Sequence, residues 1–202
     1  MILFVKKVHE DDPQYEDALR LLYDTGLYRS SFEFKNRDEA AAGLSKMKMV
    51  KDTEFYYDNF WVCMDSDKVV GAMQAYDPHN IDAKLSVSAY RKKVGEPGFL
   101  KGYRVWRESS ALYASQEVCF YIYSVGVADG YDFKDTTMLM ISELLTELNK
   151  RHYETVYADI RQSRGGILEA IKKMGFEPVR AIENYGFHDR CTRFCLRLRP
   201  RQ

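Results

Sequence analysis

The sequence predicts one α/β (α+β) domain built around a mixed central sheet flanked by helices. Three observations lead there. Stretches with strand character alternate with amphipathic helical patterns along the chain. One of them, "EVCFYIYSVGVAD" (Glu117–Asp129), is almost continuously apolar, as a strand buried on both faces is. The 202 residues are 46% hydrophobic and 30% charged, which suits one sizeable core.

The elements follow in order. "ILFVKKV" (Ile2–Val8) reads as a first strand. "DDPQYEDALRLLYDTG" reads as a helix, with Asp11 or Asp12 at the N-cap, Pro13 in the first turn, a stripe of Tyr15, Leu19, Leu22 and Tyr23, and Gly26 as a stop. "RDEAAAGLSKMKMV" (Arg37–Val50) reads as a second helix. "NFWVCMD" and "KVVGAMQAY" around "SDK" carry a hairpin signature. Residues Asp77–Gln116 interrupt the alternation as a polar, partly helical insertion within a single 1–202 domain, with Phe99, Leu100, Tyr103 and Trp106 on one side of a helix. After the apolar strand, a helix over about Thr136–Lys150 places Met138, Ile141, Leu145 and Leu148 on a core-facing stripe. "ETVYADI" is another strand, "GGILEAIKKMGFEPV" a helix closed by Gly175 and stopped by Pro178, and "RFCLRLR" a last strand. The order is βααββ, insertion, βαβαβ.

Thirty basic residues balance thirty acidic ones, so the chain lacks the basic excess of a general nucleic-acid binder. Cys63, Cys119, Cys191 and Cys195 form no C-x-x-C pair, and the histidines make no metal constellation. Free thiols in apolar strands suit a reducing compartment. "MILFVKKVHEDDP" turns acidic too soon for a signal peptide, and no apolar run reaches membrane-spanning length. A cytoplasmic protein without nucleic-acid or membrane partners is the expectation.

The junction "SVGVADGYDFKDTTMLM" (Ser124–Met140) joins the apolar strand to a helix. Unpaired helical N–H groups and the dipole favour anions at such a junction. Glycine normally lets the backbone approach a phosphate, but here Asp132, Phe133, Lys134, Asp135, Thr136 and Thr137 stand in the loop.

"YIYSVGVADGY" (Tyr121–Tyr131), the helix after it, "ETVYADI" and the Gly175-Phe176 pair of "ILEAIKKMGFEPV" together resemble the GNAT family of N-acetyltransferases. The resemblance covers most of the chain and is specific in the second half. It implies splayed fourth and fifth strands with the pantetheine arm of acetyl-CoA between them, Val125, Gly126 and Val127 lending backbone groups to that arm. It implies a pyrophosphate site over Phe133, Lys134, Asp135, Thr136 and Thr137. The family's pyrophosphate signature departs here: Asp132, Asp135 and Thr137 occupy its cation and small-residue positions. Ile171 stands where the family often has a thiolate-protonating tyrosine, and Ser163 or Arg164 falls near its usual asparagine.

Amine acetylation needs a base and donors near the thioester oxygen. Strict alternation puts Cys119, Tyr121, Tyr123, Val125 and Val127 on one strand face. Tyr121, Tyr123 and Glu117 are the catalytic candidates, each set against an ordinary strand residue. Tyr157, Asp159, Tyr185 and His188 follow as weaker ones. The cations Arg91, Lys92, Lys93, Lys101, Arg104 and Arg107 of the insertion read as a solvated helix face, as the lining of an acidic or aromatic acceptor pocket, or as contacts to the CoA ribose phosphate. Arg193, Arg197 and Arg199 alternate on a face read as solvated or as the rim of a homodimer. The expected function is acetyl transfer from acetyl-CoA to a primary amine of a small molecule or peptide by direct attack. The alternative is a catalytically silent binding module of the same fold.

Overall fold

The computed structural model describes residues 2–24, 34–95, 118–151, 153–161, 165–182 and 191–198. Strand β1 (Leu3–Lys7) leads to helices α1 (Gln14–Tyr23) and α2 (Arg37–Leu44), then to strands β2 (Phe60–Asp65) and β3 (Lys68–Tyr76). Helix α3 (Ala83–Lys93) precedes β4 (Cys119–Val127). Helix α4 (Phe133–Leu148), β5 (Thr155–Arg161), α5 (Gly165–Lys173), β6 (Glu177–Ile182) and β7 (Cys191–Arg197) complete the described chain.

The seven strands form one sheet in the order β1-β2-β3-β4-β5-β7-β6. The apolar strand β4 is central, as its composition predicts. It runs antiparallel to β3 and parallel to β5, so the sheet is mixed. Alternation along each strand divides the core. Val62, Met64 and Ala72 pack with α1 and α2 on one face, together with Ala89 and Tyr90 of α3. Trp61, Cys63, Val70 and Met73 pack with α4 and α5 on the other. Among the described residues no helix is long and apolar enough to cross a membrane.

The β2–β3 hairpin turns through Ser66, whose left-handed φ of 54° the short turn requires. Other boundaries differ from expectation. Asp12 does not cap α1; its carboxylate takes Lys6 and the His9 N–H, and Pro13 occupies the cap position. The second helix gives way to a 3₁₀ turn over Ser45–Met47. Helix α3 is an element that periodicity in the sequence does not announce; Asp82 caps it through the N–H groups of Lys84 and Leu85. Phe99, Leu100, Tyr103 and Trp106 lie outside the described residues. Gly175, at φ 86°, does end α5, but Pro178 then sits inside β6. Proline is tolerated there because β6 is an edge strand with one free side.

Helix α4 begins earlier than predicted and presents a rotated face. Thr136, Thr137, Met140, Ile141, Leu144 and Leu148 are its buried residues, with Met138 and Leu145 half-buried on the flank. The Asp132 cap starts the helix at Phe133, which turns both threonines inward. The Thr136 methyl carbon comes within 2.9 Å of where a Cβ on Gly71 would stand, so glycine lets helix and sheet approach.

Candidate functional site

Strands β4 and β5 pair only from Cys119↔Thr155 to Ile122↔Ala158. Beyond that point β4 continues to Val127 against β3, while β5 continues to Arg161 against β7. The two strands splay apart, and α4 starts just past the end of β4. A cleft between parallel strands with a helix N-terminus at one end is suited to an extended ligand carrying an anionic group.

A β-bulge decides what faces this cleft. Gln74 pairs with Ser124 and Ala75 with Ile122, leaving Tyr123 as an extra residue on β4. The bulge reverses the alternation. Tyr121 and Tyr123 group with Tyr76, Tyr157 and Ile81 on the α1–α3 face, while Val125 and Val127 pack with the α4–α5 core. The single face expected for Tyr121, Tyr123, Val125 and Val127 is therefore corrected: an extra residue shifts the phase of every side chain after it. The rings of Tyr76, Tyr121 and Tyr123 form a closed triangle with centroids 5.7–6.1 Å apart. Ile81, at the start of the insertion, packs against this cluster. Gly126 is needed for packing: a Cβ there would lie 2.6 Å from the Leu21 carbonyl oxygen of α1.

At the apex of the cleft the Tyr121 hydroxyl donates to Asp159 Oδ2 at 3.2 Å. Arg193 closes on the same carboxylate, Nε to Oδ1 and Nη2 to Oδ2, each at 2.8 Å. Arg193 is buried, which corrects its reading as part of a solvated arginine face; Arg197, two strand positions further along the alternation, is exposed. Alternation alone could not show that Asp159 lies directly across from Arg193 on the neighbouring strand.

The start of α4 is only partly what a phosphate site needs. Asp132 accepts the Asp135 N–H at 2.7 Å, so an internal carboxylate occupies one of the donors. The N–H groups of Phe133 and Lys134 precede the first helical bond, which runs from Thr136 N to Asp132 O. Lys134 lies 3.9 Å from Asp135. Thr136 and Thr137 are withdrawn as side-chain donors: they are 1% and 0% exposed, and the Thr137 hydroxyl oxygen is buried without a partner among the described residues. Ile171 is core, packed with Phe176 and Phe194, so no acid stands at that position. Glu117, Tyr185, His188, Ser163 and Arg164 lie outside the described residues.

A second polar cluster lies on the same face as the tyrosines and was not legible in the sequence. The buried Glu54 carboxylate accepts the Ser86 hydroxyl at 2.7 Å, and its main-chain oxygen accepts the Gln74 amide at 2.7 Å. Burial pushes the Glu54 carboxyl above its ordinary value, opposed by its own backbone N–H and by Ser86. Burial likewise raises the nearby Tyr90 phenol. A carboxyl raised on folding contributes stability that is full below its unfolded pKa and is lost as pH rises through the folded one. Glu54→Gln keeps an acceptor for Ser86 and removes the charge. Its stability relative to wild type is expected to grow with pH across that window and then level off. A tenfold difference in the carboxyl's proton affinity between the folded and unfolded chain corresponds to about 1.4 kcal/mol. Parallel urea melts at stepped pH measure this; superimposable pH profiles for the two proteins would refute it.

Another concavity, of about 300 Å³, opens at the opposite end of the sheet beside Lys7, Asp58, Asp77, Arg151 and Tyr153. Its inner charges are already satisfied. Lys7 pairs with Asp58 and Glu147, Arg151 with Glu147, and Tyr153 donates to Asp77; burial, with the Asp77 charge and hydrogen bond beside it, pushes that phenol up to about 12.

No protein-family profile and no curated protein sequence matches this chain. Solved structures do. An N-acetyltransferase from Staphylococcus aureus Mu50 is 15% identical, with a TM-score of 0.69 over 96% of this chain and 100% of that one. The NatC complex bound to Gag peptide and CoA contains a chain 11% identical, with a TM-score of 0.60 over 98% of this chain and 100% of that one. A GNAT-family acetyltransferase from Bacillus cereus ATCC 10987 is 10% identical, with a TM-score of 0.55 over 98% of this chain and 100% of that one. The architecture is the GNAT acetyltransferase fold, with its mixed, open sheet and splayed fourth and fifth strands.

Proposed function

We infer that this protein is an acetyl-CoA-dependent N-acyltransferase acting on a primary amine of a small molecule or peptide. The observation that carries the reading is the opening between β4 and β5, with the start of α4 at its far end. The likeness to acetyltransferase structures supports it at the level of fold. The pantetheine arm lies along the β4 side of the opening at Val125, Gly126 and Val127, and the pyrophosphate meets the Phe133 and Lys134 N–H groups with the Lys134 ammonium near. An amine nitrogen attacks the thioester carbonyl, the C–N bond forms as the C–S bond breaks, and the proton the amine gives up balances the one the departing CoA thiolate takes, without a covalent enzyme intermediate. Tyr121 and Tyr123 are among the described polar groups beside the apex where that transfer occurs. The insertion, whose first turn already packs on the tyrosine cluster, covers the acceptor side.

One observation favours the rival reading, a GNAT-fold module without catalysis. The Asp132 carboxylate is itself an anion at the α4 N-terminus. Calorimetric titration with acetyl-CoA and CoA separates the two. Asp132→Asn keeps the cap and removes the charge, and is expected to tighten CoA binding about tenfold, equivalent to about 1.4 kcal/mol. Lys134→Glu is expected to weaken it, and both effects should shrink as salt rises. Absence of wild-type binding at millimolar CoA, or affinities that ignore both substitutions, would leave Asp132 as a plain helix cap and the silent module as the function.

A further inference from the structure

The concavity at the far end of the sheet takes no part in the acyl-transfer step. β1 and β3 finish there, and β2, β4 and β5 start there. β4 and β5 are paired at this end, which sets the cavity apart from the opening between them. Its volume of about 300 Å³ is at the lower bound of pockets that hold small molecules. The lining carries both signs of charge in equal number, Lys7, Lys51 and Arg151 against Asp52, Asp58 and Asp77. Partners then sort these groups. Lys7 is spent on Asp58 and Glu147, and Asp77 on Tyr153, Asn80 and the His79 N–H. Lys51 and Asp52 are exposed, and neither side chain has a polar partner among the described residues. One cation and one carboxylate, on consecutive residues, are thus left with unspent capacity at the cavity wall. Their turn is fixed: Asp52 is held at a left-handed φ of 61°, and its main-chain oxygen accepts the Asp82 N–H at 2.8 Å. Apolar surface comes from Phe120 and Tyr153, whose rings meet edge to face at 5.1 Å.

We propose that this cavity binds a free α-amino acid with an apolar side chain, Lys51 taking its carboxylate, Asp52 its ammonium and the Phe120–Tyr153 wall its side chain. The balance of charge carries the choice. A ligand with a single charge pairs with one of Lys51 and Asp52 and meets the other as a like charge. An α-amino acid carries both signs on one carbon, and the protein offers both from adjacent residues. Further capacity of each kind lines the same space. Arg151 engages Glu147 through Nη2 alone and keeps other N–H donors. Asn59 donates its amide to the Thr53 and Glu54 carbonyls, which leaves its side-chain oxygen as an acceptor. A polar side chain on the ligand would lie against the two rings without a partner, which an apolar one avoids.

Titration of the wild-type protein with L-phenylalanine, without CoA, tests this by calorimetry and by backbone amide spectra. Saturable binding is expected, with a Kd on the order of 0.1 mM. Phenethylamine lacks the carboxylate and N-acetyl-L-phenylalanine lacks the ammonium, and each should bind about tenfold more weakly, as should L-glutamate. The amide signals of Lys51, Asp52 and Asn80 should move, while those of Val125 and Lys134 in the cleft stay. Lys51→Ala and Asp52→Asn change exposed side chains, and asparagine tolerates the left-handed backbone. Both variants should keep the wild-type urea midpoint and weaken L-phenylalanine about tenfold. No saturable binding at millimolar L-phenylalanine would overturn the inference. So would analogues that bind as tightly, signals that move at Val125 and not at Lys51, or variants of wild-type affinity. CoA is absent from every arm, so none of these outcomes bears on the acyl-transfer reading.

Discussion

Arg193→Met is expected to lower the unfolding free energy by about 3–5 kcal/mol, because it strands the Asp159 carboxylate in a buried setting. For a chain of this size that is a fall in melting temperature of roughly 10 °C. The sheet makes the loss hard to relax. Asp159 and Arg193 sit opposite each other on neighbouring strands, and β6 closes the far side of β7, so neither side chain reaches water by a small backbone shift. The double variant Asp159→Leu/Arg193→Met removes both charges and should recover most of the stability, since a buried ion pair replaced by apolar groups is often neutral. Thermal and urea unfolding of the three proteins checks this. A single variant that melts within a degree of wild type would show that Asp159 finds solvent and that the pair is not dry.

Gly126→Ala should cost about 1–3 kcal/mol, large for one methyl group. The obstruction is the main-chain carbonyl of Leu21, at 2.6 Å from the oxygen and 2.9 Å from the carbon, and no rotamer change removes it. Helix α1 must move off β4 or β4 must bend, and either motion changes the strand that bounds the cleft. Weaker CoA binding should therefore accompany the loss of stability. Gly130→Ala is the natural comparison. Nothing lies within 4 Å of its Cβ position, and only the left-handed φ of 88° penalises it, by about 1–2 kcal/mol, with no effect on α1 packing. If Gly126→Ala unfolded at the wild-type urea midpoint, the close approach of α1 to β4 would be disproved.

The parts of the fold that local pattern controls were readable from the amino-acid order. The β2–β3 hairpin follows from two apolar runs around a short polar turn, and the central place of β4 from its unbroken apolar character. The resemblance carried by Tyr121–Tyr131 and Gly175-Phe176 led to the splayed strands that the sheet pairing contains. Thr136 and Thr137 show where such reading stops. A loop motif placed them at a phosphate, but their burial depends on where Asp132 starts the helix and so on its rotation against β3.

By itself, the sequence determined the class of fold, the order of most elements and the neighbourhood of the cleft, because hydrophobic periodicity and turn chemistry act over a few residues. Tertiary structure alone decided which side chains meet there. The Tyr123 bulge appears only when β4 is set in register against β3, and it sends Tyr121 and Val125 to opposite faces. The Asp159–Arg193 pair joins residues 34 positions apart, and Glu54–Ser86 joins residues 32 apart. No local period encodes such a partner. Arg193 reads in the sequence as a solvated face or a dimer rim, and it is drawn inside because strand pairing supplies Asp159 at hydrogen-bond distance, as a docked helix supplies Ser86 to Glu54.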